Sequence, residues 1–410
     1  MIKFFILFFL IVGITYGLPN DFSHRDGFNP LNVTEMISSK GYPVESHVVE
    51  TEDGYLLTMH RIPYGVANGS GPAPNKSVVF LQHGFLSSSA DWVVIGPDNN
   101  ALGYLLADAG YDVWMGNARG NTWSRKHITL DPDNPLTRQK FWNFSWHEIA
   151  IYDIPAMIDF ILNTTGLTKL HYAGHSQGTT VLFILCSLKP EYNDKFISAH
   201  ALAPVAYMSH VKSPFFQAFA PINFPLSTLT TLLGVDEFAP STTAFQLGGY
   251  AACQDESPVQ GLCSNILFLM SGFDPPQLNQ TILPAFLANY PAGSATKQFI
   301  HYLQLVNSGR FCQYDYGAVQ NLLKYGSSTP PDYPLGQITA PIALHYSDND
   351  WLSAVVDVMQ LESELSNNTN FIGAFHVPYD DFNHMDYLLA IDVKLYVYDL
   401  VLSIIRYYDV

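Results

Sequence analysis

The chain has 410 residues, 48% of them apolar and only 13% charged, with a formal net charge of −17 and an isoelectric point near 5.0. This composition can bury a large core and excludes a disordered chain, while the acidity excludes a nucleic-acid binder, which needs a basic face. The length suits one large catalytic domain with an insertion or two small domains, and no fixed-period repeat points to a solenoid or propeller.

The N-terminal stretch MIKFFILFFLIVGITYG carries one early lysine, an apolar run and then small residues at Thr15 and Gly17. This predicts a signal peptide over residues 1–17, cut after Gly17. The run is shorter than the ~20 residues a membrane-spanning helix needs. Secretion makes the N-x-S/T sites meaningful, so Asn32, Asn68, Asn75, Asn163, Asn279 and Asn367 are candidate glycan acceptors. Asn143 also begins such a site, but it stands in the aromatic cluster FWNFSWHE and is expected to be too buried to modify. Of the four cysteines, Cys253 and Cys263 are close enough in sequence for a local disulfide, and Cys186 reads as a buried thiol. Cys312 stays unassigned, because connectivity does not follow from spacing.

Residues 47–62 read as a hairpin around Glu52-Asp53-Gly54, followed by an exposed loop over 64–76. Alternating units come next: strand 78–82, helix 101–109 closed by Gly110, strand 111–115, helix 148–162 interrupted by Pro155, strand 169–173, helix 177–188 and strand 196–202. Such alternation with short connections predicts a parallel sheet with helices on both faces. The rhythm stops near Pro204 and resumes with strand 341–346, helix 352–365, strand 371–377 and helix 387–405. The text between, residues 205–334, is rich in Phe, Pro, Leu and Thr and reads as an inserted, mainly helical cap or lid. Its apolar segment 214–233, with Phe215, Phe216, Phe219 and Phe224, is the expected mobile element. The regular core then comprises residues 18–204 and 335–410.

Gly174-His175-Ser176-Gln177-Gly178 is the one G-x-S-x-G in the chain. It follows the strand LHYA and opens the helix QGTTVLFILCSL, where a nucleophile elbow has to sit. A sharp strand-to-helix turn thrusts the serine out, and the helix N-terminus aims free N–H groups at a developing oxyanion. The Gln177 N–H is one candidate donor. His83-Gly84-Phe85 follows an upstream strand, and the Phe85 N–H is the candidate second donor.

On an α/β-hydrolase fold the acid follows the nucleophile and the histidine comes last. Asp348 and Asp350 compete in the loop after strand 341–346, and spacing does not separate them. His384 lies between the last strand and last helix. Its rival His376 sits within a strand pattern and is expected to be a satisfied core histidine.

Several long blocks, LADAGYDVWMGNARGNTWSRKH, FWNFSWHEIAIYDIPAMIDFIL, LHYAGHSQGTT, CSNILFLMSGFD and NHMDYLLAIDV, resemble the gastric and lysosomal acid lipase family from about residue 30 to the C-terminus. The resemblance implies an α/β-hydrolase fold with a central, mostly parallel sheet and a cap. It places the nucleophile on Ser176, the base on His384 and the oxyanion donors on Phe85 and Gln177. It selects Asp350 as the acid, although the family's Gly-Gly-x-Asp reads Ser347-Asp348-Asn349-Asp350 here. It also maps a lid-region disulfide onto Cys253 and Cys263. The implied substrates are triacylglycerols or cholesteryl esters met at a lipid interface, with no metal or other cofactor. A soluble carboxylesterase and a non-enzymatic lipid carrier are the alternatives.

Overall fold

The computed structural model describes residues 31–222, 228, 230, 234–240 and 260–409. The signal peptide, Phe224 and the Cys253–Cys263 pairing fall outside what is described. Ten strands are present among the described residues: β1 (Glu45–Glu50), β2 (Leu56–Ile62), β3 (Val78–Gln82), β4 (Asp112–Met115), β5 (Leu170–His175), β6 (Phe196–Leu202), β7 (Glu237–Phe238), β8 (Ser294–Ala295), β9 (Ile342–Tyr346) and β10 (Gly373–His376). Eight of them form one sheet in the order β1-β2-β4-β3-β5-β6-β9-β10, and β7 pairs with β8 alone. The run from β4 through β3, β5, β6 and β9 to β10 is parallel. The hairpin β1–β2 joins β4 antiparallel at one edge. The expected mostly parallel α/β sheet is thus present.

Every residue of β3 and β5, and all of β6 except half-buried Ile197, is buried, as happens when crossover helices cover both faces of a parallel sheet. Successive side chains point to opposite faces. Phe80 and Tyr172 therefore pack with the helices Ile154–Thr165 and Gln177–Leu188. Val79, Leu81 and Ala173 pack on the other side with Leu102–Asp108 and Asp399–Tyr408. Between β6 and β9 lie the helices Pro214–Phe219, Gln260–Ser271, Leu283–Asn289, Thr296–Ser308 and Ala318–Tyr325.

Two helices differ from expectation. The expected helix 148–162 opens as a short turn, Trp146–Glu148, widens into a π-helical turn over Ile149–Asp153 and becomes an α-helix from Ile154 to Thr165. Pro155 brings no N–H to the carbonyl one turn back, and the wider turn accommodates that loss. The expected helix 387–405 is broken. Asp386–Leu389 ends where Ala390 turns extended and bridges Leu278. Gln277 then accepts hydrogen bonds from the N–H groups of Ile391 and Asp392, so a tertiary contact overrides helical periodicity.

Asn143 corrects another expectation, since it is exposed between buried Trp142 and Phe144. The turn sends the aromatic rings inward and the amide outward to Lys297 Nζ. Asn68, Asn75, Asn163 and Asn367 are exposed. Asn32 and Asn279 are half-buried, and each caps a helical turn. Cys186 is a free buried thiol as expected, and so is Cys312.

Candidate active site

Ser176 stands at the junction of β5 and the helix Gln177–Leu188 with φ 53° and ψ −115°, a left-handed conformation for a non-glycine residue. Such strain persists only where the surroundings over-determine it. Here a Cβ on Gly174 would lie 2.6 Å from the Gly178 carbonyl carbon, and one on Gly178 would lie 2.3 Å from the Gln82 carbonyl oxygen. Only glycine at both positions lets the chain double back. The Ser176 N–H donates to the Leu202 carbonyl at 3.0 Å, tying the turn to the end of β6. Ser176 is half-buried between buried neighbours.

Asp350 and His384 come together. His384 Nδ1 lies 2.9 Å from Oδ1 and 2.8 Å from Oδ2 of Asp350. Both groups are buried, and Asp350 Oδ1 also accepts from the N–H groups of Leu352 and Ser353. The rival pair meets elsewhere. His376 Nε2 is 3.0 Å from Asp348 Oδ2, with their side chains 39% and 52% exposed. His376 is therefore not the core histidine expected from its strand pattern, because β10 is an edge strand and its last residue faces outward.

Neighbouring groups fix the histidine and the loop facing Ser176. His175 donates from Nε2 to the His384 carbonyl at 2.9 Å, and burial holds its ring well below the ordinary histidine range, so it stays neutral. His83 donates from Nδ1 to the Gly84 carbonyl and accepts the Ala118 N–H at Nε2. This pins the loop after β3, where a Cβ on Gly84 would lie 3.2 Å from Ser176 Cβ. Phe85 and Gln177 thus flank the serine from two sides. The Phe85 ring packs on Phe238, Phe299 and Tyr302, leaving its backbone as the group beside the elbow.

Ser176 and His384 share one cleft, walled by Phe85, Phe215, Phe216, Leu267, Met270 and Tyr302. Most of these apolar residues come from the segment between β6 and β9. Phe216 and Phe219 are buried around Phe299 and do not present a free apolar face.

Sequence reading missed three features here. His175 could have been noticed as the residue beside the serine. The segment Ser271–Asp274, whose Ser271 carbonyl accepts from the N–H groups of Trp351 and His384, lies within the block CSNILFLMSGFD. Asp91 gave no signal. Asp91 also lines the cleft, accepts a hydrogen bond from Ser87 Oγ and is pushed up to about 7 by burial. A carboxyl whose folded pKa is raised contributes stability that is complete below its unfolded value and is lost as pH rises toward the folded value. The advantage of Asp91→Asn over wild type should therefore grow between about pH 4 and 7, by on the order of a few kcal/mol, and then level off. Urea unfolding at several pH values measures this, and a difference that stays flat with pH would contradict it.

The profile for the "Partial alpha/beta-hydrolase lipase region" matches residues 33–96, and that for the "alpha/beta hydrolase fold" matches residues 77–226. Lipase 3 of Drosophila melanogaster is 47% identical over 92% of this chain and 93% of its own. The gastric triacylglycerol lipase of Bos taurus is 43% identical over 91% of each chain. The human lysosomal acid lipase/cholesteryl ester hydrolase is 39% identical over 92% of each. This chain belongs to the acid lipase family. Its α/β-hydrolase fold also matches a solved chain from Acinetobacter baumannii, with TM-score 0.51 and 15% identity over 93% of this chain and 99% of that one. The acid lipase described here has no helix among its described residues long and apolar enough to cross a membrane.

Proposed function

We propose that this acid lipase hydrolyses the carboxylic esters of neutral lipids, triacylglycerols and also cholesteryl esters, with Ser176 as nucleophile, His384 as base and Asp350 as acid. His384 takes the Ser176 proton as Oγ attacks the ester carbonyl. Asp350 orients the imidazole and stabilises its cation. The N–H groups of Phe85 and Gln177 hold the oxyanion. His384 then protonates the departing alcohol, and water releases the acid from the acyl-enzyme by the same route. The observation that carries this reading is the buried Asp350–His384 pair opening onto an apolar cleft beside a strained serine at a helix N-terminus.

Residues 205–334 act as a cap over a core formed by 18–204 and 335–410. In support, Phe215, Phe216, Leu267 and Met270 wall the cleft that contains Ser176. Residues 1–17 direct the chain into the secretory route, toward an extracellular or lysosomal destination. The leader pattern and acceptor asparagines are what favour this. The working site is a lipid–water interface, because long acyl esters are insoluble. Val319, Leu322 and Leu323 are 74%, 59% and 76% exposed on one side of the helix Ala318–Tyr325. An apolar stripe of this kind suits contact with a lipid surface.

Replacing Leu322 and Leu323 together with aspartate should lower hydrolysis of emulsified triacylglycerol by about tenfold or more, since each buried leucine contributes roughly 1.5–3 kcal/mol to docking. Turnover of a dissolved short-chain ester should be unchanged. Equal loss on both substrates would argue against interfacial contact through this helix. The reading as a whole is tested by following hydrolysis of one ester below and above its solubility limit. A rise in rate on passing the limit supports a lipase. Saturation below the limit with no further rise supports a soluble esterase, and hydrolysis on neither side refutes both.

A further inference from the structure

The segment Ser271–Asp274 is wedged between the loop of Asp350 and the loop of His384. The Ser271 carbonyl accepts hydrogen bonds from the N–H groups of Trp351 and His384, both at 3.2 Å. Gly272 has φ 119°, and a Cβ there would lie 2.2 Å from the Asn349 carbonyl oxygen and 3.0 Å from Asn383 Cβ. Asn349 Nδ2 donates to the carbonyls of Phe273 at 2.9 Å and Asp381 at 2.7 Å. The spacing between acid and base thus depends on how this segment is held.

At its end two carboxyl groups meet. Asp274 and Asp386 are 0% and 3% exposed, and their carboxyl groups interact with each other. Asp386 Oδ2 accepts the Asn383 N–H at 2.6 Å, next to His384 in the chain. Asp274 Oδ1 accepts from the Tyr379 hydroxyl at 3.2 Å, while its Oδ2 meets no N–H or hydroxyl among the described residues. Ionised carboxylates only accept, so two of them can bond only if one keeps a proton. The charged and titratable groups around the pair do not offset a double negative charge. They are Asp381 and Tyr379 beside Asp274, and Asp350 and Tyr387 beside Asp386. Tyr396 stacks on Tyr379, and Asp392 is held by Gln277. The His384 ring nearby is already paired with Asp350.

We propose that Asp274 and Asp386 share a single proton and act as positioning residues, a carboxyl–carboxylate latch that holds the His384 loop in register with Asp350. The inference rests on His384 being the base. While one O–H donates to the other carboxylate, Asp386 keeps its grip on the Asn383 N–H. When the pair loses its proton, two buried like charges repel, the segment parts from the loop, and His384 loses its orientation. Burial and the neighbouring carboxylates raise both groups, so this loss belongs to the alkaline side of the activity profile.

The test is the pH profile of kcat/KM on a dissolved short-chain ester for the full-length enzyme and for Asp274→Asn. The amide donates to Asp386 at every pH, so the alkaline limb should move upward by about one pH unit or more, with the acid limb and KM unchanged. Asp386→Asn places the donor on the other partner and should shift the same limb in the same direction. Asp274→Ala supplies no donor and should lower kcat across the range. Folded amide variants whose alkaline limbs coincide with wild type would overturn the latch. Failure of both amide variants to fold would also overturn it, since each retains the hydrogen bond the latch requires. His384→Ala separates the two readings. Retained hydrolysis there refutes the proposed base, whereas an unmoved alkaline limb in an enzyme silenced by His384→Ala refutes only the latch.

Discussion

Ser176→Ala is expected to lower ester turnover by about six orders of magnitude, the loss seen when the nucleophile of a comparable triad is removed. The fold should survive, because the Ser176 side chain is half-buried at the elbow and the turn is held by Gly174, Gly178 and the bond to Leu202. Initial rates on a dissolved ester, with thermal unfolding followed in parallel, check both halves. A well-folded variant that retains a substantial fraction of wild-type turnover would place the nucleophile elsewhere.

Asp350→Asn should cost about four orders of magnitude in kcat, as amidation of a triad acid does in the serine-protease case. The local geometry gives the reason. Asp350 Oδ1 accepts from the N–H groups of Leu352 and Ser353, so in the variant the amide oxygen keeps that position. The amide nitrogen then faces His384 Nδ1 and donates to it. That forces the proton onto Nε2, where the base must instead accept from serine. Asp348→Asn, whose carboxylate reaches exposed His376, should leave kcat within about threefold of wild type, as surface ion pairs contribute little. Steady-state kinetics on both variants decide the matter, and a larger loss for Asp348→Asn would shift the acid by two residues.

The elbow was legible because local covalent geometry dictates it. A serine on a strained turn needs glycine on both sides, and the flanking strand and helix carry unambiguous periods. The acid was not legible from residues alone, since Asp348 and Asp350 lie in one loop and differ only in which backbone N–H groups receive them. The resemblance favoured Asp350, and the structure buries that residue against His384. His376 was misread for a related reason. Strand composition does not distinguish an inner strand from an edge, and the strand histidines that are buried prove to be His60, His171, His175, His200 and His345 on β2, β5, β6 and β9. Phe216 and Phe219 were read only as part of the mobile segment 214–233, and their long-range packing on Phe299 is a contact that local pattern does not report. The Asp274–Asp386 contact joins residues more than a hundred positions apart, a separation that no periodicity reports.

The most direct test of the central claim is active-site titration of the protein with a fluorophosphonate, followed by peptide mapping and by hydrolysis of emulsified triolein. The account predicts stoichiometric label on Ser176 and loss of lipid hydrolysis in proportion to labelling. Label confined to another residue, or undiminished triolein hydrolysis by a fully labelled enzyme, would contradict it.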